Sequence, residues 1–444
     1  MDPLKQKFHE KASALREEIR AMLKEHGSTK VDEVKLEQIY GGARSIKSMV
    51  WETSELDPIK GIRFRGYSIP ELRDILPKGP DGKEPRPEGL FWLMLVGEVP
   101  TEEEEAWLTH QWIRRSNVPE HVFKVLDSLP TTTHPMTQFS IAINAMQTDS
   151  CFARRYDEGL NKSDYWDPTY EDTMNLLARL PRVAAYIYRR TYFNGQHIAP
   201  DINQDWAANF AHMLGSGRDD FKNLMRLYMV IHADHEGGNA SAHATHLVGS
   251  TLSDAYLSLA GGINALAGPL HGLANQEVIR WIFSMLDALG TTKPSKEEIA
   301  SYVHSTLDSG QVIPGYGHAV LREPDPRFMA LKRFAEEYIE QDDIIEVVWK
   351  IFDVVPDILQ GLGKVKNPWP NVDAHSGALL VHYGMKEFNY YTVLFGVSRA
   401  LGVLSALCWS RALGFPLERP KSVTTAWVKQ FLAKQGATLA SNAK

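Results

Sequence analysis

Tyr390 to Trp409 reads YYTVLFGVSRALGVLSALCW, twenty residues that are almost all apolar. A run of that length either crosses a bilayer or fills the middle of a large soluble protein. Arg399 near its centre and Arg411 just beyond its end decide between the two. A guanidinium at mid-membrane costs about 3 kcal/mol or more, whereas a protein interior can supply it with partners. The segment therefore reads as a buried helix, with the fold built around it.

Outward from that helix the same spacing recurs. PEGLFWLMLVGEVP, YEDTMNLLARLPRVAAYIYRR, DWAANFAHMLG, QEVIRWIFSMLDALG and DIIEVVWKIFDVVPDIL all place apolar residues at three- and four-residue steps. Strand-like alternation is nearly missing, so the chain is expected to be all-α, its short helices delimited by Gly and Pro. At 444 residues it exceeds one small core and calls for two or three folding units. GTTKPSKEE (Gly290 to Glu298) and QGLGKVKNPWPNVD (Gln360 to Asp373) read as connections, and the segment around and between them as a smaller domain inserted in a larger one. The N-terminal stretch sets Leu4, Phe8, Leu15, Ile19, Met22 and Leu23 on one helical stripe. Its Glu10, Glu17 and Glu18 are unlike a targeting presequence, so the chain as given is read as starting at a mature helix.

With 48 basic against 55 acidic residues and a net charge of −7, no phosphate-backbone footprint is present, and nucleic acid is not an expected partner. Cys151 and Cys408 are far apart and outside any CxxC spacing, which removes a disulfide framework or a cysteine zinc ribbon and fits a reducing compartment.

Ile231 to Gly249, IHADHEGGNASAHATHLVG, holds four histidines. His232/His235 and His243/His246 are each three apart, as in some zinc sites, but HExxH is missing and Gly237-Gly238 would interrupt a single helix. His232, His243 and His246 read as satisfied interior histidines. His235 stands out because glycines follow it and let backbone approach a ligand. In GPLHGLANQE, His271 precedes a helix, where the dipole favours a neutral ring that can polarise a carbonyl, or simply caps. In VIPGYGHAVLREPDPRF the Gly-Tyr-Gly-His turn offers amides for an anion or a purine, with Arg322 and Arg327 behind it, although no established phosphate motif is met. In NPWPNVDAHSGALLVHYG, Asp373 is either a helix N-cap or a general base. Arg399 needs a carboxylate partner, from the protein or from a substrate, and Arg419 follows in LERPKS.

Taken in order, HADHEGGNASAH, GPLHGLANQE, VIPGYGHAVLREPDPR, NPWPNVDAHSG, FGVSRALG and LERPKS resemble the citrate synthase family in its large, mitochondrial type, from GGARSIKSMVWETSELDP at Gly41 to Ser422. The resemblance implies an all-α homodimer whose large domain (residues 1–276 and 384–444) carries a small one (277–383) that closes over substrate. It implies condensation of acetyl-CoA with oxaloacetate and water, giving citrate and CoA, the entry step of the tricarboxylic acid cycle, with no metal and no other cofactor. By matching motifs, His271 would donate to the thioester oxygen, Asp373 would take a methyl proton and His318 would polarise the oxaloacetate ketone. His235, Asn239, Arg327, Phe395 and Arg399 would line the oxaloacetate site, with Arg419 reaching across from the other subunit. CoA would meet Val312, Ile313, Pro314, Gly315, Tyr316, Gly317 and Asn371, with Arg44, Arg322 and Lys366 near its phosphates. Lys162 stands where the animal pattern has arginine, which weakens that contact. A bacterial cytoplasm or a mitochondrial matrix fits. The rival readings are a 2-methylcitrate synthase using propionyl-CoA, a zinc hydrolase using the clustered histidines, and a non-catalytic CoA-binding descendant; NPWPNVDAHSG favours citrate over the propionyl enzyme.

Overall fold

The computed structural model describes residues 2–363 and 365–442. At its centre the helix Tyr391–Leu413 is buried along almost its whole length. It is ringed by Pro3–His26, Pro87–Val96, Trp166–Tyr192, Asp219–Ile231, Ala240–Ser250 and Ala255–Leu266. Among the described residues the helical stretch Phe388–Leu413 is long and apolar enough to cross a membrane, and its apolar window lies wholly inside the protein. Every side of that helix has a helical neighbour, which is why it carries no polar face.

Two helical expectations need correction. Helices are not all short: Trp166–Tyr192 spans 27 residues and runs through Pro181, and Asp343–Gly361 runs through Pro356. A proline inside a helix costs about 3 kcal/mol. Burial of Leu180, Val183 and Ala184 around the first, and of Val355 and Leu359 around the second, offsets it. The N-terminal stripe is only half used. Leu4 and Phe8 are fully buried, but Met22 and Leu23 are 52% and 60% exposed.

A small antiparallel sheet also escaped the sequence reading, Ser54–Asp57, Gly61–Phe64 and Tyr67–Ser68 in that order. Strands of two to four residues are too short to show alternation. Positive φ at Gly61, Arg65 and Gly66 makes the tight reversals.

Helices Ala274–Leu289, Lys296–Asp308, Pro326–Tyr338, Asp343–Gly361 and Asp373–His382 pack mainly on one another. They meet the rest where Ala274–Leu289 touches Tyr391–Leu413 and where Pro326–Tyr338 touches Asp219–Ile231 and Ile69–Ile75. The connection at Gly290 to Glu298 proves tighter than expected, because Ser295 and Glu298 form a reciprocal cap on Lys296–Asp308.

Candidate active site

The turn after Asp219–Ile231 is held from below by one carboxylate. Asp234 is fully buried; its Oδ2 accepts from Trp51 Nε1 (2.9 Å), Thr53 Oγ1 (2.6 Å) and Ser54 Oγ (2.8 Å), and its Oδ1 from the His235 amide (3.0 Å). The edge of the small sheet thus fixes where His235 sits. Asn239 caps Ala240–Ser250 through Ala242 N (3.2 Å) and its amide donates back to the His235 carbonyl (3.0 Å). From the core helix, the Gly402 amide donates to the Ala233 carbonyl (3.2 Å), and a Cβ at residue 402 would stand 2.4 Å from that oxygen and 2.7 Å from Asp234 Cγ. Gly402→Ala is expected to destabilise the protein by about 1–3 kcal/mol, measured by denaturant unfolding.

Two guanidinium groups enter the same space. Arg399 is 2% exposed and donates only to neutral oxygens, through Nε to the His232 carbonyl (3.1 Å) and through Nη1 to Asn239 Oδ1 (3.0 Å) and Ser241 Oγ (3.1 Å). Among the described residues no carboxylate is hydrogen-bonded to it, although Asp234 and Asp373 bear on its charge from further off. Among the described residues its remaining donor, Nη2, makes no hydrogen bond, and the guanidinium lies 4.7 Å over the Phe395 ring. Burial pulls Arg399 down to about 10, so it stays charged at neutral pH. Arg327, 4% exposed, does have a carboxylate: Nε and Nη2 donate to Asp325 (3.0 and 2.7 Å), which is itself fully buried. A buried cation with no carboxylate bonded to it and a donor still free is a receptor for an anion.

The histidines around it are neutral, and two of them have a defined tautomer. His271 Nε2 accepts from the Ser241 amide (3.2 Å) and lies 2.9 Å from Ser241 Oγ, so its proton sits on Nδ1. His318 Nδ1 accepts from the Val320 and Leu321 amides (3.0 and 3.1 Å), so its proton sits on Nε2. Burial, then Arg399 and Arg327, lowers His271 to about 3; burial and Arg327 lower His318 to about 4. His235 packs against His318 at 5.3 Å between ring centres, its Nε2 buried without a partner and its pKa pushed well down by burial, Arg327 and His318. His271 and Phe395 are edge to face at 6.2 Å.

Asp373 opens the helix Asp373–His382, but Val372 is the N-cap residue and the Asp373 side chain caps nothing. Its Oδ1 is shut from water with no hydrogen-bond partner. Burial raises its pKa to about 7, against the pull of Arg327 and Arg399. The loop before it is tied to the Gly-Tyr-Gly-His turn: Asn371 N donates to the Gly315 carbonyl (2.9 Å), Asn371 Nδ2 to the Gly317 carbonyl (3.2 Å), and Asn371 Oδ1 accepts the Asp373 amide (3.0 Å). Gly315, at φ 79°, leaves no room for a side chain, since a Cβ would lie 2.8 Å from Val278 and 3.0 Å from Ala374.

The expected CoA residues are placed less completely. Val312 is 80% exposed and Pro314 and Tyr316 are half-buried, but Ile313 is in the core and the Gly317 amide already donates to the Trp369 carbonyl (3.0 Å), so it is not open to an anion. Arg322 is folded back onto the Val320 and Leu321 carbonyls (2.8 and 2.7 Å). Lys366 is exposed on the neighbouring loop. Arg44, Lys162 and Arg419 are also exposed, and none makes a hydrogen bond or ion pair through its side chain to the other site residues.

Of the remaining histidines, His243 and His246 both approach Glu418 (2.8 and 3.6 Å), but the His243 side chain is 43% exposed, so it is partnered without being interior as expected. His232 is only half satisfied: Nδ1 meets the Tyr228 carbonyl (3.0 Å) while Nε2 is buried without a partner. Among the described residues no three His, Cys, Asp or Glu side chains converge as a metal site. Sequence reasoning missed Asp234, Ser241 and Asp325, which act through other groups. The hydroxyl opening Ala240–Ser250 was the one available signal.

A family model described as the citrate synthase C-terminal domain matches residues 42–421. The chain is 55% identical over 408 residues to the mitochondrial citrate synthase of Xiphias gladius, covering 92% of this chain and 87% of that protein. It is 55% identical over 425 residues to the probable mitochondrial citrate synthase of Glossina morsitans morsitans, covering 96% and 91%. The fold matches a ternary complex of carboxymethyl-CoA and oxaloacetate with the citrate synthase of Thermoplasma acidophilum, at TM-score 0.73 and 22% identity over 87% of this chain and 96% of that one.

Proposed function

The chain belongs to the citrate synthase family, and on that premise we propose how its own side chains carry the reaction. The reaction is acyl transfer with carbon–carbon bond formation: acetyl-CoA, oxaloacetate and water give citrate and CoA. Arg399, which has no carboxylate bonded to it, takes the two carboxylates of oxaloacetate with Arg327 and the neutral His235. Arg419 of the partner subunit completes that grip in a homodimer. Asp373 removes a methyl proton from acetyl-CoA while Nδ1–H of His271 donates to the thioester oxygen, and an enol or enolate forms. Its carbon attacks the oxaloacetate ketone, whose oxygen takes up charge against Nε2–H of His318. Water then cleaves the C–S bond of the resulting thioester, releasing citrate and CoA.

The observation that carries this division of roles is the pairing of two neutral histidines, each locked as a donor by backbone amides, with a carboxylate whose Oδ1 is unpartnered. A thioester α-proton is too weakly acidic for a carboxylate acting alone, and preorganised donors to the developing oxyanion contribute about 3–4 kcal/mol each. Neutral donors also avoid trapping oxaloacetate in an unreactive charge-paired ground state. The helices from about 277 to 383 are the small domain of the proposal, moving to close over oxaloacetate before acetyl-CoA reacts and so excluding water. The loop from Val312 to Gly317 with Asn371 receives CoA, and Arg44, Arg322, Lys366 and Lys162 meet its phosphates once closure and dimer contacts are made. These steps use side chains alone, with no resident metal or cofactor. The mitochondrial relatives make the matrix the proposed compartment.

The test is thiol release from acetyl-CoA and from propionyl-CoA, each with oxaloacetate, on chelator-treated protein. Acetyl-CoA should be preferred by about 10–200-fold in kcat/KM, the value of one methylene in a fitted pocket. Equal or better propionyl-CoA turnover would move the substrate to the methylcitrate class, and activity restored only by zinc would overturn the side-chain mechanism.

A further inference from the structure

Buried polar atoms are nearly always hydrogen-bonded, so a group of exceptions in one place asks for a reason. Around Asp373 there is such a group. Tyr228 is fully buried and its hydroxyl has no partner; Asn275 is 1% exposed and neither its Nδ2 nor its Oδ1 has one; Oδ1 of Asp373 has none. The three come from three helices, Asp219–Ile231, Ala274–Leu289 and Asp373–His382. The second packs on the third so closely that a Cβ at Gly377 would be 3.0 Å from Asn275 Oδ1.

We propose that Tyr228 is a positioning residue for the base: its hydroxyl donates to Oδ1 of Asp373 when the site closes, and Asn275 Nδ2 donates in turn to the Tyr228 oxygen. The donors and acceptors match one for one along that chain. Nδ2–H finds the phenolic oxygen, on which the Asn275 side chain already bears, and the phenolic hydrogen finds the carboxylate, whose Oδ1 has no hydrogen-bond partner. The Asp373 carboxylate is the charge that bears on the Tyr228 hydroxyl, and the Asn275 amide is its polar neighbour. Burial and that carboxylate both raise the phenol, so the hydroxyl keeps its proton and remains a donor. The aromatic ring is fixed independently, stacked on His232 at 4.0 Å. The other charges bearing on Asp373 are Arg327 and Asp325 from the start of Pro326–Tyr338 and Arg399 from the core helix; the buried polar groups of Ala274–Leu289 are the amides of Asn275 and Gln276. The function of the contact is to keep the base ionised. With its pKa raised to about 7 the carboxyl would be only partly ionised at neutral pH, and a donor to its charged form opposes that.

The inference rests on Asp373 being the base. Tyr228→Phe removes one oxygen and keeps the ring and its stack. The pH profile of kcat/KM for acetyl-CoA should show its acid limb moved up by about one pH unit, with the oxaloacetate KM and the melting temperature unchanged. Asn275→Ala should move the limb the same way by less, and the double variant should shift no further than Tyr228→Phe alone. An acid limb that stays in place in both single variants, or a rate lowered equally at every pH, overturns the proposal. Asp373→Ala is assayed beside them. Full turnover in that variant removes the base reading and this inference together, whereas a dead Asp373→Ala with an unmoved limb in Tyr228→Phe removes this inference alone.

Discussion

Asp373→Ala is expected to lower condensation by about 10²–10⁴-fold, the contribution of a positioned base, while oxaloacetate binds as before. The separation is possible because oxaloacetate is assigned to Arg399, Arg327 and His235, on elements other than the helix that begins with Asp373. Rates of thiol release and calorimetric binding of oxaloacetate, measured side by side, check it; turnover at the unsubstituted rate would refute the assignment. The pH dependence follows from the same group. Its carboxylate is the active form and its pKa is raised to about 7, so kcat/KM should fall as pH drops through that value. Stability runs the other way. A carboxyl group whose pKa in the native state lies above that of the unfolded chain favours folding below the unfolded value, and that contribution is lost as pH rises through about 7. Above neutrality the alanine variant should therefore melt no lower than the parent, the mark of a residue kept for activity at a cost in stability.

His271→Ala is expected to reduce kcat by about 10²–10³-fold, the value of one preorganised oxyanion donor. Removal of an oxyanion donor acts on a group that develops only as the reaction proceeds, so the loss should lie in kcat more than in either KM. His271 is held near 3, so it does not titrate between pH 5 and 9, and the residual activity of the variant should keep the acid limb set by Asp373. A limb that disappeared with His271 would show that His271, and not Asp373, is the titrating group.

The helical architecture was legible because it depends on many residues at once. The apolar spacing of Asp343–Gly361 or Ala274–Leu289 survives any single exception, even a proline such as Pro356. The small sheet was not legible, since its strands offer too few residues for a period to emerge. At the site, each principal side chain had an ordinary alternative when read alone: His271 a loop cap, Asp373 an N-cap, Arg399 a partner to some internal acid. What separates the alternatives is which atoms lack partners, and that is a property of packing. The tautomers of His271 and His318 are set by the amides of Ser241, Val320 and Leu321. Amides are identical in every residue type but proline and leave no trace in a sequence. Asp325 was hidden for a related reason, because its work is done on Arg327.

The carboxylate of Asp234 has a consequence for how the molecule comes into being. Its bonds to Thr53 and Ser54 join residues 181 and 180 positions apart, so the turn bearing His235 is specified by a contact of very high sequence separation. Closing so long a loop is entropically costly and is repaid only once the intervening helices have condensed. On that ground the alignment of His235 with Arg399 is expected to follow the docking of the small sheet, after local helix formation. A ribosome-bound chain that ends before residue 234 carries the sheet with nothing to clamp, and catalytic competence is among the last properties the polypeptide gains.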